Sequence, residues 1–390
     1  TPGYGSVAGV ANGTANPWFA RFATSESTTV LADAVSLNPT FFSLWIGNND
    51  ILGYATSGGS GVDQAGNFDP STYGGNDITD PGVFTQVFGA MVSTLTAGGA
   101  KGAVVTVPSI TNLPHFTTVP YNPLDPSNPA FASQIPTLNT VYGALNQIFT
   151  ALNQPERVVV FSTTAANPVV IVDEDLVDLS AQITGALLAS PTFPAFVQGF
   201  GLPSQAAPLV AGLLGNAYGQ SRPATSSDLL VLPSSSIIGN VNTTSLQGLV
   251  GQGLSPQLAG QFSVEGVSLP LADRWVLTPQ EQANIQTATD AYNATINSLG
   301  TANGLAVIDL NDLLNEAAST GTQFDDFTMT TNLVFGGMVS LDGIHLTSRG
   351  YALMANKILE GIDATYGSNF SESGNVAKAN NYPTNYPPGI

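Results

Sequence analysis

Short apolar runs alternate with amphipathic segments along this chain, and the alternation predicts strands followed by helices. Four regions rich in β-branched or aromatic residues end in turns, as buried parallel strands do. These regions are residues 41–46 (FFSLWI), 102–107 (GAVVTV), 157–161 (RVVVF, with a second apolar run at 168–172) and 305–310 (LAVIDL). We therefore expect a mostly parallel sheet flanked by helices.

Three helices are predicted most clearly. One lies within residues 81–97 and leads into the second strand. Another begins after Thr278, which can cap it while Pro279 takes the first helical position and Glu281 reaches back as in a capping box. The last follows Thr347, with apolar residues on one face at helical spacing: Tyr351, Met354, Ile358, Leu359 and Ile362. Strands that alternate with helices in this way indicate a three-layer α/β/α fold.

The spacing of these elements divides the chain into four parts. Residues 109–270 are too long for one crossover and poor in charge, so we expect an insertion packed on the main domain. A lid over a site, and extra core helices without a functional role, both fit such a segment. The α/β domain then comprises residues 1–108 and 271–370, and the Pro- and Asn-rich residues 371–390 form a loosely held tail.

Composition excludes several classes of function. Charged residues are 9% of the chain against about 25% in typical proteins, so Ser, Thr, Asn, Gln and Gly must cover much of the surface. Phosphate backbones would repel the net charge of −19, which excludes nucleic acid as a partner. No run of about 18 apolar residues occurs, so no transmembrane helix is expected.

The chain contains no cysteine, which excludes disulfides, a thiol nucleophile and thiolate metal sites. This absence fits an exported protein and a cytosolic protein equally. Thr1 is not a natural start and no signal peptide follows it, so we expect the sequence to begin inside a longer precursor.

The strongest chemical signal is Asp342-Gly343-Ile344-His345, just before the last helix. An ester hydrolase needs an imidazole that takes a proton from the nucleophile and passes it to the leaving group. Asp342, three residues earlier in a tight loop, can hold Nδ1–H of His345 while Nε2 faces the substrate. The D-x-x-H pattern is common by chance, but this chain has only two histidines.

The other histidine, His115, has no adjacent acid. Its neighbours are apolar, which favours a packed structural role. With two histidines and no cysteine, the chain lacks the ligands of a zinc hydrolase site, and we expect no metal or other cofactor.

A second signal is the segment from Gly47 to Asp50 (GNND), where the first predicted strand stops. In open parallel sheets ligands bind at the carboxyl ends of the strands, so Asn49 and His345 can converge there. An Asn amide aimed at a developing oxyanion is a catalytic device whose loss costs about 10²–10³ in rate. Taken alone, the segment also fits an ordinary turn, because Gly and Asn are common turn formers.

Together the two signals resemble the SGNH, or GDSL-type, ester hydrolases. LWIGNND after a strand is similar to the family's G-x-N-D block, and DGIHLTSRGY before a terminal helix is similar to its D-x-x-H block. The resemblance implies that His345 is the general base, that Asp342 is its orienting acid, and that Asn49 is the side-chain oxyanion donor. Gly47 would permit the tight turn beneath this oxyanion site.

Two other blocks of that family are missing. Its nucleophile is a Ser in a G-D-S or G-N-S turn after the first strand, and its second oxyanion donor is a Gly after the second strand; neither block occurs here. The resemblance covers residues 15–108 and 270–365, which implies a flavodoxin-like parallel sheet without its first strands. Ser6 and Ser60 lie in Gly-rich loops with no apolar strand before them and are poor candidates. A truncated chain explains the pattern most simply, and an inactive relative is the alternative.

Two functions are compatible with these residues. In the first, the full-length protein hydrolyses a small-molecule, lipid or glycan ester through an acyl-serine intermediate. In the second, an inactive surface protein of the same fold binds glycans or another partner. Residues 41–55 (FFSLWIGNNDILGYA) resemble an exported branch found as bacterial lipoproteins, which implies a periplasmic or outer-membrane-anchored protein. Pairing of Asp342 with His345 favours the hydrolase, because a binding module has no use for it; the sequence does not indicate an oligomeric state.

Overall fold

The computed structural model describes residues 5–385, and about 49% of the chain is helical. Residues 1–4 and 386–390, which include Thr1 and the end of the predicted tail, lie outside the described part. The α-helices, in chain order, are α1 (Val7–Ala11), α2 (Pro17–Ala20), α3 (Val30–Ser36), α4 (Asn48–Thr56), α5 (Pro81–Thr96), α6 (Pro114–Thr117), α7 (Pro129–Ala132), α8 (Ile135–Ala151), α9 (Ser180–Ala189), α10 (Phe193–Gly199), α11 (Ala207–Tyr218), α12 (Thr243–Gly251), α13 (Pro256–Gln261), α14 (Pro279–Ala302), α15 (Leu310–Ser319) and α16 (Ser348–Tyr366).

Within the described residues, the strands form one parallel sheet and three antiparallel pairs. They are β1 (Phe41–Leu44), β2 (Lys101–Val105), β3 (Val170–Val172), β4 (Ser221–Pro223), β5 (Leu229–Leu230), β6 (Val276–Leu277), β7 (Ala306–Ile308), β8 (Thr322–Phe324) and β9 (Phe327–Met329). The parallel sheet has the order β1-β2-β7, and the pairs are β3-β4, β5-β6 and β8-β9. The expected α/β class is confirmed.

Three of the predicted strands, β1, β2 and β7, form the parallel sheet. The central strand β2 is the most deeply buried, and Ala103 and Val104 have no exposed surface. Gly102 pairs with Phe42 in the ladder, and a Cβ at Gly102 would lie 2.6 Å from the Phe42 ring. The absence of a side chain at Gly102 therefore lets that ring cover the sheet.

Strand β1 is an edge of this sheet among the described residues, with β2 as its only ladder partner. Its burial alternates, with Phe42 buried while Phe41 and Ser43 are exposed. Phe41 remains 40% exposed although its ring meets Tyr366 edge-on at 6.0 Å. The row of backbone groups on the free side of β1 can accept another strand.

The three predicted helices are present as α5, α14 and α16. Helix α14 begins with the expected capping box: Thr278 accepts from the backbone of Glu281, and the Glu281 carboxylate accepts from the backbone of Thr278. Thr347 caps α16 by accepting from Gly350 N–H. Within residues 5–385, no helix is both long enough and apolar enough to cross a membrane.

The predicted strand at residues 157–161 is wrong. Two asparagines of α8 supply the hydrogen bonds that a neighbouring strand would have made. Asn146 bonds both the N–H and the carbonyl of Val159, at 3.0 and 2.7 Å, and Asn139 bonds both groups of Phe161, at 2.9 and 2.9 Å. The second apolar run does contain a strand, β3, but that strand is antiparallel to β4 and lies outside the parallel sheet.

Two large hydrophobic clusters divide the described chain. One surrounds the parallel sheet and is built from β1, β2, β7 and the helices α5, α14 and α16. The other lies almost wholly within residues 109–270 and centres on α8, α9, α11 and β3. The long segment thus buries its own apolar side chains; whether it acts as a lid stays a prediction.

The end of the described chain is held more firmly than the expected loose tail. Ala379 is fully buried, and its carbonyl accepts from Nε of Arg349 at 3.1 Å. Asn356 of α16 bonds both the N–H and the carbonyl of Ala377, at 2.8 and 3.0 Å. A composition rich in Pro and Asn does not prevent anchoring when a neighbouring helix offers side-chain partners.

Candidate active site

The loop that carries Asp342 and His345 lies between β9 and α16 and is closed by its own backbone. Ser340 N–H donates to the His345 carbonyl over 2.7 Å, and Gly343 N–H donates to the Ser340 carbonyl over 2.9 Å. These bonds hold the two side chains next to each other at one tight turn.

The Asp342 carboxylate orients the imidazole of His345. Oδ2 lies 2.7 Å from Nδ1 of His345, and Oδ1 accepts from the Ser340 hydroxyl at 2.7 Å and from N–H of Ile344 and His345 at 2.9 and 3.0 Å. Partial burial opposes ionisation, but these donors outweigh it and hold the pKa of Asp342 well below its usual range. The ionised carboxylate accepts from Nδ1–H, which leaves Nε2 as the nitrogen that can take up a proton.

This pair is exposed to solvent. The side chain of His345 is 67% exposed and that of Asp342 is 48% exposed. Even a fully charged pair that is this exposed would contribute at most about 1 kcal/mol to stability. The four hydrogen-bonding groups assembled around one surface carboxylate therefore suit the orientation of an imidazole better than the stabilisation of the fold.

The loop rests on His115, the other histidine. His115 N–H donates to the Gly343 carbonyl at 3.1 Å, and Nδ1 of His115 lies 3.2 Å from the Asp342 carbonyl. Burial lowers the pKa of His115 despite that hydrogen bond, so the ring is neutral at neutral pH. His115 has the structural role that its neighbours predicted, and in that role it supports the candidate site.

Gly343 allows the loop to approach the backbone of His115 closely. Its φ is +76°, and a Cβ at this position would lie 2.6 Å from the backbone nitrogen of His115. Both the left-handed backbone and the close approach of two chains require a residue without a side chain. The Gly in the Asp342-to-His345 turn is therefore fixed by packing as well as by the turn.

The segment from Gly47 to Asp50 forms the start of α4, directly after β1. Gly47 precedes the helix with φ of +103°, and a Cβ there would lie 3.0 Å from Val107 and 3.2 Å from Phe84. The chain can therefore turn sharply beneath the site only with glycine at this position. Asn49 is exposed in the first turn of α4, where its amide is accessible to a ligand.

Asp50 anchors that turn and does not line the cavity. Its Oδ2 accepts from Thr79 N–H at 3.0 Å, and its Oδ1 accepts from the Thr79 hydroxyl at 2.7 Å. The Tyr292 hydroxyl, on α14, also donates to Asp50. Burial, and then the charge of Asp50, raise the pKa of Tyr292 above its usual range, so this phenol stays protonated as a donor.

Asn49 and His345 line the same cavity, which has a volume of about 230 Å³. Asn48 lines it too, and its Oδ1 is buried without a hydrogen-bond partner among the described residues. The rest of the wall is mostly apolar: Trp45, Leu52, Pro108, Ile110, Leu113, Leu314, Ile344, Leu346, Tyr351 and Met354. The structure thus brings together an oriented imidazole and a side-chain amide at the carboxyl ends of the strands.

The described cavity wall lacks a serine, threonine or cysteine, and Tyr351 carries its only hydroxyl. Ser6 instead caps α1 by accepting from Gly9 N–H at 3.2 Å, and Ser60 lies exposed in the loop after α4. Neither of these serines lines the cavity. In the part of the chain that the structure describes, one group of three acids is close enough to hold a metal ion, and it lies outside this cavity.

Sequence reasoning missed two residues that support the site. Ser340 donates to Asp342, and a Ser two residues before an Asp is a local turn signal that could have identified it. His115 contacts the loop from 227 positions away, and no local pattern predicts such a contact.

Comparisons of this chain with models of protein families, with curated proteins and with solved structures found no match. The functional interpretation therefore rests on the chemistry of the described side chains. A carboxylate-held imidazole can move a proton, and an exposed amide that lines the same cavity can stabilise a negative oxygen.

Proposed function

We propose that this chain is the acid–base part of a serine ester hydrolase related to the SGNH family. His345 is the general base, Asp342 holds its Nδ1–H, and Asn49 donates to the oxyanion, with Gly47 forming the turn beneath. The reaction passes through an acyl-serine intermediate and uses no cofactor. The substrate is a small-molecule, lipid or glycan ester.

One observation carries this proposal: Nδ1 of His345 lies 2.7 Å from Oδ2 of Asp342, at a cavity that Asn49 also lines. Acyl transfer requires a base that accepts the proton of the nucleophile and returns it to the leaving group. It also requires a donor for the negative oxygen of the tetrahedral intermediate. These two requirements account for the neighbouring imidazole and amide.

The proposal assigns the nucleophilic serine to a segment outside these 390 residues. The free edge of β1 supports this assignment. In a three-layer sheet with the flavodoxin-like order 2-1-3-4-5, the first strand pairs with the third. If β1, β2 and β7 are the third to fifth strands, the first strand would pair with β1, and the turn after it would open beside Asn49.

The wall of the cavity supports an ester with an apolar acyl group, because Leu113, Leu346 and Met354 face it. A separate apolar cavity of about 290 Å³ within residues 109–270 shares none of these lining residues. Export as a lipoprotein remains part of the proposal and is supported by the resemblance of residues 41–55.

Hydrolysis of short p-nitrophenyl esters tests the proposal. We expect no activity from the 390-residue chain, and activity from a protein that is extended upstream to include a G-D-S or G-N-S turn. In that extended protein, His345→Ala should abolish hydrolysis, and Asn49→Ala should lower kcat about 10²–10³-fold. Asn297→Ala, an exposed asparagine on α14, is the matched control and should retain full activity.

Activity that survives His345→Ala would contradict the assigned base. The alternative is an inactive relative that binds glycans or a partner, and the lack of Ser, Thr or Cys on the described cavity wall favours it. An extended protein that hydrolyses no ester but binds a glycan saturably would establish that alternative.

A further inference from the structure

We propose that Glu174, Asp273 and Glu281 bind one calcium ion, independently of the ester chemistry. Each residue offers one carboxylate oxygen, and these three oxygens all lie within 4.8 Å of one another. Calcium binds oxygen ligands at about 2.3–2.6 Å, so oxygens up to about 5 Å apart can share one ion. The three carboxylates are called the acid cluster below.

Secondary structure brings these residues together from distant parts of the sequence. Glu174 follows β3, and β3 contacts the chain just before Asp273 through the Ile171–Leu271 bridge. Glu281 lies in the first turn of α14, where its Oε2 accepts from Thr278 N–H at 2.6 Å. The acid cluster therefore lies where residues 109–270 meet the rest of the protein.

Glu281 supplies the independent sign of a ligand. Its side chain is only 3% exposed, and its Oε1 is buried with no hydrogen-bond partner among the described residues. Oδ1 of Asp273 is buried and unpartnered in the same way. Burial raises the pKa of both carboxyl groups. Buried carboxylate oxygens without donors are costly unless a cation or a proton satisfies them.

The loop that contains Gly58 and Gly59 covers Oε1 of Glu281. Gly59, in the loop after α4, has φ of +78°, and a Cβ there would lie 1.8 Å from Oε1 of Glu281. A Cβ at Gly58 would lie 2.3 Å from the Asp273 carbonyl. Any larger residue at either position would therefore collide with the acid cluster or with the chain that carries it.

The described basic side chains do not neutralise the acid cluster, and none of them forms an ion pair with it. Arg222, on β4 next to β3, is committed to Asp173 at 2.6 Å and to Asp228 at 2.7 Å. Arg274 follows Asp273 in the chain, but its guanidinium lies 4.8 Å over the Trp275 ring. A divalent cation would supply the missing positive charge.

The ligand chemistry selects calcium among common cations. All three donors are carboxylate oxygens, which suit hard cations and give no nitrogen or sulfur for zinc or copper. Magnesium requires near-octahedral geometry at about 2.0–2.1 Å and retains several waters, whereas calcium accepts oxygen ligands at about 2.3–2.6 Å in a flexible geometry. Glu174 is exposed, so one carboxylate of the acid cluster is in contact with solvent.

Binding to the metal-stripped 390-residue chain tests this proposal. After EDTA treatment and exchange into chelator-free buffer, calcium titration should show one site by calorimetry. At a 100-fold excess of calcium over Kd, the melting temperature should rise by about 3 °C. Terbium should bind the same site and luminesce when Trp275, two residues after Asp273, is excited.

Glu174→Gln and Asp273→Asn should each weaken calcium binding at least tenfold and abolish terbium luminescence. Asp290→Asn, an exposed acid on the same helix as Glu281, is the matched control and should bind as the unmodified protein does. Because Glu174 is exposed, its variant should fold even if the Asp273 variant does not.

Three outcomes would overturn the proposal. The first is no thermal shift and no binding heat at millimolar calcium, which would mean that a shared proton satisfies the acid cluster. The second is calcium binding that persists in Glu174→Gln at full affinity. The third is a magnesium effect equal to that of calcium, which would contradict the choice of ion.

Discussion

Replacing Gly343 with alanine should push the loop of Asp342 and His345 away from the backbone of His115, on which it rests. The backbone there has φ of +76°, and the new Cβ would lie 2.6 Å from the nitrogen and 2.9 Å from the Cα of His115. Both neighbours are backbone atoms, so no side-chain rotation can relieve the contact. One of the two chain segments has to move.

The expected cost has two parts. A left-handed backbone costs a non-glycine residue about 1–2 kcal/mol, and forced overpacking adds about 1–3 kcal/mol. Unfolding of a chain of 390 residues, at about 2.1 cal/mol/K per residue, has an entropy near 0.8 kcal/mol/K. Gly343→Ala should therefore lower the melting temperature by about 2–6 °C.

Gly201→Ala is the matched control, because Gly201 has φ of +78° and no atom within 4 Å of its hypothetical Cβ. The free energy of unfolding of Gly201→Ala should fall only by the cost of the left-handed backbone, about 1–2 kcal/mol. Differential scanning calorimetry of both variants measures the difference. Equal destabilisation of the two variants would refute the reasoning, since it would leave no cost for the contact with His115.

Two other predictions concern single side chains. The pKa of Asp342 is lower in the folded protein than the ordinary value of 3.8, so its contribution to stability is present above pH 4 and is lost as the pH falls below it. Because the side chain is half exposed, this contribution is about 1 kcal/mol, and urea unfolding between pH 5 and 2 should depend less on pH in Asp342→Asn. Asn146→Ala leaves both backbone groups of Val159 without their partner and should cost about 1–3 kcal/mol by urea unfolding. Asn297→Ala, which removes only an exposed hydrogen bond, should change stability by less than about 0.5 kcal/mol, and an equal loss in the two variants would contradict this account.

Local signals account for the parts of the fold that were predicted correctly. The capping box at Thr278 involves residues within three positions and was identified from the sequence, and the helix after Thr347 was identified from the spacing of its apolar residues. The Asp342–His345 pair is equally local, because a turn of four residues brings acid and imidazole together. Such features form from neighbours along the chain, and their chemistry is present in the residue order.

The prediction that was wrong concerns residues whose hydrogen-bond partners are distant in the sequence. Residues 157–161 have the composition of a buried strand, but which partner they meet is decided by the packing of α8 against them. Apolar β-branched residues favour extended backbone in either case. Their extended form was predictable, and membership of a sheet was not.

The sequence by itself determined the alternation of strands and helices, the caps of the long helices, and the Asp342–His345 turn, because each depends on contacts between close neighbours in the chain. Only the tertiary structure decided that His115 supports this turn, that Asn49 shares its cavity, and that three acids from separate segments meet. Those contacts join positions far apart in sequence, and their formation depends on how whole elements pack. Residue types alone therefore pointed to candidate side chains, and packing determined which of them come together.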